Sequence, residues 1–306
     1  MNSAHTRRPA VLSLGRIYCD LIFTGLGSLP QPGREVFAHD LTMAAGGGAF
    51  ITSAHLAHAG REVALLARLG IDALSNGLEA ELKASGADLR FLERTADAGP
   101  QVTVASVIGN DRAFLSRRAG SAEPATLDAA LSWERAGHLH IAEYATLDEI
   151  PGLVAKAKAK GLTISLDPSW DETLIHRPDF LNRCEGIDLF LPNLEEAAAI
   201  TGRSEPDAAL AGLASAFPLV VLKCGGDGAF LAAGSATLHQ RAPNVPVVDT
   251  TGAGDSFNAG FINAWMNGLD VETCLASGVR SGSAAVQAAG GTAILRKPKL
   301  QAGAAQ

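Results

Sequence analysis

Short apolar runs recur along the chain, each closed by a glycine, an acid or an amide, and most lead into a segment of helical periodicity. Ala10-Val11-Leu12-Ser13-Leu14 predicts a buried strand ending at Gly15. Val63 to Ala67 predicts a strand, Ile71 to Ala84 a helix, and Leu89 to Leu92 a short strand. From about Gly137 the alternation becomes regular. The strands are His138 to Ala142, Leu162 to Pro168, Ile187 to Asn193 and Leu219 to Gly225. Between them come helices over Glu149 to Lys160, most of Asp171 to Asn182, Glu195 to Thr201 and Pro206 to Phe217. A short hairpin (Gly228 to Ala233, Ala236 to Gln240), a helix through Asn258 to Met266 and an Ala-rich helix from Val271 to Ala289 follow. Repeated βα units imply a mostly parallel sheet with helices on both faces.

Other stretches do not fit that rhythm. Gln101 to Ile108 nearly alternates, Gly109-Asn110-Asp111 is a turn, and Arg112 to Arg118 reads as the returning arm. Such a ribbon sits badly in a buried parallel sheet and well as a half-exposed flap. Glu35 to Ala38, after the turn Pro30 to Gly33, predicts another strand outside the core. The chain therefore reads as one domain, with a lid inserted from stretches near 16–40 and 100–118.

The chemistry concentrates in one loop. The apolar Val247-Val248 gives way to Asp249-Thr250-Thr251-Gly252-Ala253-Gly254-Asp255, and a helix follows at once. Gly252 and Gly254 let backbone amides approach a ligand, and the free amides of a helix's first turn point at the same place. Asp255 sits where such an anion would bind. A carboxylate beside a bound phosphate is awkward unless it takes a proton from whatever attacks the phosphate. That is what a phosphotransferase needs. The polar strand ends Asp167, Asn193 and Lys223 are expected on the same rim. Asp20 falls just past the first core strand, where open α/β sheets place ligands, or is an ordinary turn acid. Gly46-Gly47-Gly48 before the helix Ile51 to Ala59 again suggests a close approach, but no Gly-Lys-Ser/Thr follows to make a Walker A loop. His55 and His58 share a side of that helix without a nearby acid or cysteine, and read as packing or surface residues.

Composition narrows the partners. The chain has 306 residues, 47% of them hydrophobic, enough for one large α/β domain. A net charge of −7 without a basic tract argues against nucleic acid. The four cysteines are scattered without a CxxC, so a reducing cytoplasm is expected rather than a disulfide scaffold or Cys-rich zinc site. The residues Met1 to Arg8 are polar, and no apolar run reaches the roughly 18 residues of a membrane span. A soluble protein with no membrane partner is expected.

Asp249 to Phe257, with the strand expected before it and the helix after it, resembles the C-terminal signature of the ribokinase (PfkB) family of carbohydrate kinases. The resemblance runs from Gly15 to Ile294. Gly46-Gly47, then a helix, Gly60 and Gly70 resemble the N-terminal signature. Pro192-Asn193-Leu194-Glu195-Glu196 resembles the Asn-x-x-Glu motif, and Lys223 to Gly228 the nucleotide-side strand and turn. Gly109-Asn110-Asp111-Arg112 resembles the lid turn.

The resemblance implies a three-layer ribokinase-like α/β fold, with a mostly parallel central sheet and a small β lid. It implies ATP-dependent phosphate transfer to an alcohol. Asp255 would be the base, and Gly252, Ala253 and Gly254 the anion hole. Lys223, Gly225, Gly228 and Thr251 would lie on the nucleotide, and Asn193 and Glu196 on magnesium through water. Asp20, Gly47 and Ile51 would lie on the acceptor side. Asp249, Thr251, Ala285, Ala288 and Gly290 would correspond to the potassium-type monovalent-cation site of some members. Flap hairpins present edge strands and apolar residues that pair with a second copy, so a homodimer through the lid is expected.

One departure stands out. Ile51 occupies a position where the family often has an Asn facing the acceptor. Its side chain makes no hydrogen bond, so His138, His140, Glu143, Trp170 or Asp171 are the candidates to supply one. A small sugar or sugar acid is the expected acceptor. A nucleoside is the alternative, with Phe23, Phe37 and Phe50 available to a base. A sugar phosphate is less favoured, since only Arg16, Arg112, Arg117 and Arg118 are near the acceptor motifs. A Rossmann dehydrogenase would need Gly-x-Gly-x-x-Gly after an early strand, which Gly46 to Phe50 does not supply. A non-catalytic sugar or nucleoside sensor would have a damaged Asp255 or magnesium motif, and both are intact.

Overall fold

The computed structural model describes residues 9–108 and 111–296. The polar N-terminal residues, Gly109 and Asn110 of the lid turn, the Arg112 side chain and the polar tail after Arg296 lie outside the described residues. The strands are β1 (Ala10–Leu14), β2 (Tyr18–Thr24), β3 (Asp40–Gly46), β4 (Val63–Leu69), β5 (Leu92–Arg94), β6 (Val102–Ile108), β7 (Asp111–Arg117), β8 (Ala136–Ile141), β9 (Thr163–Leu166), β10 (Leu189–Phe190), β11 (Leu219–Lys223), β12 (Ala229–Ala233) and β13 (Ala236–Gln240). Among the described residues the main sheet has nine strands in the order β13-β12-β11-β10-β9-β8-β1-β4-β5. It is parallel from β11 to β5, and β12 and β13 add antiparallel at one edge.

The reason for two helical layers lies in the strand alternation. Leu12 and Leu14 point into one core, with Leu153 and Leu213 from the helices on that side. Val11 points into the other, with Phe257, Phe261 and Val279. β11 repeats the division, Val220 and Leu222 against Leu219 and Val221. A strand buried on both faces reads as a continuous apolar run, as these do.

The lid is a separate four-stranded sheet, β3-β2-β6-β7. β2 pairs antiparallel with β3 and parallel with β6, and β6 and β7 form the expected hairpin. A third apolar cluster, including Ile17, Cys19, Ala45 and Phe50, joins the lid's root to the body. Arg16 fixes the same junction. It is buried, donates to Gln101 Oε1 at 3.0 Å and to the carbonyls of Ala119 and Gly120 at 2.9 Å, and grips Glu149 at 2.6 Å.

Several expectations need correction. Glu35 to Ala38 is not a strand; the lid strand is β3, and Phe37 is exposed. Asp20 lies within β2, not in a loop past β1, because the chain turns into the lid immediately after Arg16-Ile17. The expected helix Ile71 to Ala84 is two helices, Ala73–Gly77 and Glu79–Ala84. The one expected over Glu149 to Lys160 is interrupted. Tyr144–Glu149 ends before Pro151, and Leu153–Ala159 restarts after Gly152, which adopts φ 78°. Asp171 to Asn182 likewise divides around Pro178 into Glu172–Ile175 and Phe180–Arg183. Val247-Val248 is exposed coil and not a strand. No described helix is long and apolar enough to cross a membrane.

Candidate active site

The helix Ala253–Met266 begins at Gly252, whose φ of 72° favours glycine. A Cβ there would also meet the Cα of Gly291 at 2.6 Å and Ile51 Cγ2 at 3.1 Å. This loop can therefore take its shape only with glycine at 252. The start of the helix lines a cavity of ≈ 730 Å³ through Thr251, Gly252, Gly254 and Asp255, while Ala253 N donates to the Thr250 carbonyl at 3.2 Å. Ile51 lines it too and packs beneath Gly252 and Gly291.

Asp255 is the acid of the glycine loop in this cavity and is half-buried. Burial, then the nearby Asp167, pushes its pKa up to about 7, against the pull of Lys223. Gly48 makes room for it: a Cβ there would sit 2.9 Å from Asp255 Oδ1. Asp20 reaches the same cavity from β2 and packs on Gly46. Burial raises its pKa to about 7 as well, with Asp255, Glu81 and Asp249 adding repulsion. Glu81 also ties the lid strand β3 to the turn at Thr292, accepting from Ala45 N and from Thr292 Oγ1, each at 2.8 Å.

The polar strand ends do converge. Lys223 Nζ donates to Asp167 Oδ2 at 2.6 Å, and Asn258 Nδ2 donates to the same oxygen at 2.6 Å. Burial disfavours charge on Lys223, but Asp167 and Glu196 outweigh it and raise its pKa. Asn193 caps the helix Leu194–Thr201, and Glu196 N donates to Asn193 Oδ1 at 2.8 Å. The Glu196 carboxylate accepts from Asn193 N in return, also at 2.8 Å. Burial, then Asp167, pushes Glu196 up to about 7, with Lys223 opposing. No cluster of three or more His, Cys, Asp or Glu side chains that could hold a metal is found among the described residues. The oxygen-only set of Asn193, Glu196 and Asp167 suits a hard cation that keeps much of its water.

A second cavity of ≈ 500 Å³ adjoins the first, lined by Gly225, Gly228, Ala253, Phe257 and Val279 among others. Asn193, Lys223 and Gly254 line both cavities. The two spaces therefore meet at the glycine loop, one polar and acid-rich, the other walled by aliphatic and aromatic carbon.

Behind the loop, Asp249 Oδ1 accepts from Thr251 N at 2.9 Å and Thr251 Oγ1 at 2.8 Å, and Oδ2 accepts from Gly290 N at 2.8 Å. Asp249, Thr251 and Gly290 thus come together, with Ala285 and Ala288 in the turn that ends the helix Val271–Ala285.

The rest of the first cavity comes from the lid and from loops at the strand ends. Tyr18, Thr103, Ser116, Arg118, Glu143 and Trp170 line it. Thr103 and Ser116 face each other across β6 and β7, with hydroxyls 3.0 Å apart. They were not picked out from the sequence; the polar positions of the lid's alternation were the signal. Of the candidates to compensate for Ile51, Glu143 and Trp170 reach the cavity. His138 and His140 do not. Both are buried on β8 against Ser165, and burial drives both pKa values down. Asp171 instead pairs with Arg118 at 2.5 Å. Phe50 is fully buried in the core, Phe37 is exposed and Phe23 lies toward the far end of β2, so none of them lines the cavity; its aromatic residues are Tyr18 and Trp170. Arg16 is committed to Glu149, and Arg117 to the Pro100 carbonyl. His55, expected as a packing residue, bonds the Gly291 carbonyl at 2.8 Å and also contacts the Ser256 hydroxyl.

Comparison with known proteins agrees with this geometry. A family model described as pfkB family carbohydrate kinase matches residues 8–298. The 2-dehydro-3-deoxygluconokinase of Bacillus subtilis (strain 168) is 29% identical over 265 residues, covering 77% of this chain and 78% of its own. The structure of Arabidopsis thaliana ribokinase complexed with ribose and ATP superposes with a TM-score of 0.79 at 22% identity, covering 95% of this chain and 99% of that one. The adenosine kinase of Sinorhizobium meliloti gives a TM-score of 0.80 at 20% identity, with 94% and 98% covered. At those identities the structures establish the shared fold.

Proposed function

The chain belongs to the pfkB family of carbohydrate kinases, ATP-dependent phosphotransferases acting on small sugar or nucleoside acceptors, and we propose that its own acceptor is a small sugar or sugar acid, with Asp255 as base. The observation that carries this is the placement of Asp255: a half-buried carboxylate at the start of a helix, in a cavity that joins a second one at Asn193, Lys223 and Gly254. The second cavity takes the adenine end of ATP, and the triphosphate runs past Gly225 and Lys223 toward the glycine loop.

Asp255 accepts the proton of the acceptor hydroxyl as that oxygen attacks the γ-phosphate. The amides at Gly252 to Gly254 receive the developing charge without having to reorient. Asn193 and Glu196, with Asp167, would hold magnesium largely through water, and the ion when bound would offset charge on the β- and γ-phosphates. Asp20 orients the acceptor from the lid, and lid closure excludes competing water. Asp249, Thr251, Ala285, Ala288 and Gly290 would hold a monovalent cation that fixes the glycine loop from behind.

A nucleoside acceptor is the second reading, supported by Tyr18 and by Trp170, which is 41% exposed in a residue type usually buried. A homodimer through the lid fits the exposed Leu41, Met43 and Leu115. Light scattering at micromolar concentration should give twice the chain mass, and a monomer would refute the dimer.

The test is an ADP-release assay with Mg-ATP and potassium across sugars, sugar acids and nucleosides. Asp255→Asn should lower kcat by about 10²–10⁴-fold on the true acceptor. Wild-type turnover in that variant would remove Asp255 from the base role.

A further inference from the structure

A carboxylate that lines neither cavity touches both the lid and the backing of the glycine loop. Glu81 sits on the helix Glu79–Ala84, and Thr292 in the turn that follows the helix Val271–Ala285. Neither is among the residues lining the two cavities. They meet behind the site, where Thr292 Oγ1 donates to Glu81 Oε1 at 2.8 Å. Glu81 is half-buried and Thr292 is buried, and a hydrogen bond in such surroundings is electrostatically stronger than one in water.

The other oxygen of Glu81 holds the lid. Oε2 accepts from Ala45 N at 2.8 Å. Ala45 belongs to β3, the edge strand of the lid sheet, and follows Ala44, which pairs with Asp20 of β2. Glu81 is also among the acids that, after burial and Asp255, raise the pKa of Asp20. Arg16 anchors a different part of the lid, at Gln101 before β6 and at Ala119 and Gly120 after β7. The β3 side has its own anchor in Glu81.

Beyond Thr292 the contacts lead straight to the glycine loop. A Cβ at Gly252 would lie 2.6 Å from Gly291 Cα, so the two backbones are already close-packed. Gly290 N donates to Asp249 Oδ2, and Oδ1 of the same acid accepts from Thr251 N. The Gly291 carbonyl is bonded to His55 Nε2 at 2.8 Å. The turn 290–292 therefore backs the loop, and Glu81 joins that turn to the lid. Displacing β3 from the turn must break one of the two bonds of a single carboxylate.

We propose that Glu81 is a positioning residue for phosphoryl transfer: one oxygen holds lid strand β3, the other holds the turn behind the glycine loop, and each end steadies the other. This rests on the reading that ATP places its phosphates at Gly252 to Gly254. A phosphate seated in the loop then stiffens the lid edge, and by linkage a seated lid favours the phosphate equally.

The probe is Mg-AMP-PNP, a non-hydrolysable ATP analogue. The readout is amide hydrogen exchange at Ala45, which lines neither cavity. In wild type, saturation with the analogue should slow Ala45 exchange by at least about fivefold. Thr292→Val removes the hydroxyl but leaves the Ala45–Glu81 bond in place, and should bring that factor near unity. Glu81→Gln still accepts from Ala45 N and can donate to the Thr292 hydroxyl, so it should keep most of the factor. Thermal melting verifies folding, and calorimetry sets the saturating concentration for each protein. A merely structural bond would change melting and basal exchange without changing the response to nucleotide. An undiminished factor in Thr292→Val overturns the proposal, as does an unresponsive Ala45 in wild type that binds the analogue. Failure of wild type to bind the analogue at all would remove the ATP reading itself, and the role of Glu81 with it.

Discussion

In the kinase reading proposed above, the phosphate end and the acceptor end of the cleft are built by different means. At the phosphate end the chemistry is mostly backbone: a glycine loop, the start of one helix, and Asp255 three residues after Gly252. At the acceptor end it is side chains brought from far apart, Tyr18 and Asp20 on β2, Thr103 on β6, Ser116 on β7, Glu143 after β8 and Trp170 after β9. A backbone site depends on local conformation and tolerates little change. A side-chain site can change its ligand by single replacements while the fold stays the same. This division suits an enzyme family in which one phosphate chemistry serves many acceptors.

Replacing Gly252 tests the backbone end most severely. Gly252→Ala places a Cβ 2.6 Å from Gly291 Cα at a φ of 72°. We expect kcat to fall by about 10²–10³-fold, as when an oxyanion donor is lost, with every acceptor affected alike. Acceptor-dependent losses in steady-state kinetics would blur the two-ended picture.

Lys223→Met probes the junction. It leaves the buried Asp167 carboxylate with Asn258 but without its cation. Breaking such a pair costs about 3–5 kcal/mol, read as a lower midpoint in urea unfolding, and the KM for ATP should rise. Unchanged stability would mean that the Lys223–Asp167 pair does not hold the folded state together.

Arg16→Ala addresses the acceptor end. It frees the root of the lid from Glu149 and from the carbonyls of Ala119 and Gly120. The acceptor KM should rise severalfold while the KM for ATP stays within about twofold, since a misplaced lid loses mainly positioning. Equal shifts in both constants would show that the lid serves both ends.

The smallest expected effect is on pH. Asp255 and Asp20 both have pKa values raised to about 7 from 3.8. Activity should climb as pH rises through about 7, when Asp255, the proposed base, loses its proton. Stability should do the opposite. The folded state binds more protons than the unfolded one between those values, so the contribution is full below 3.8 and is lost as pH rises through about 7. Urea unfolding at acidic and neutral pH should show this slope in wild type and a shallower one in Asp255→Asn. Identical slopes would mean that Asp255 titrates normally.

The glycine loop, Asp255, the Asn193–Glu196 cap and the strands from β8 to β11 were legible because each is a contiguous pattern. Periodicity and turn chemistry act over a few residues, and so does a helix cap. Helix breaks at Pro151 and Pro178 were equally local, yet the apolar periodicity running across them concealed them. The lid strand β3 was missed because its alternation lasts only from Asp40 to Met43, all exposed, and then runs into Ala44-Ala45-Gly46; pairing with β2 makes it a strand.

What the sequence determined by itself was the layered fold and the glycine-loop end of the cleft, because both follow from short-range rules of burial, turn and helix start. Only the tertiary structure decided which side chains line the lid end of the cavity. It moved Asp20 onto a lid strand, withdrew His138 and His140 into the sheet, and set Arg118 against Asp171. Those contacts span from tens to about a hundred residues, and in a folded chain proximity over such distances is fixed by how strands pair and pack, which no local pattern records.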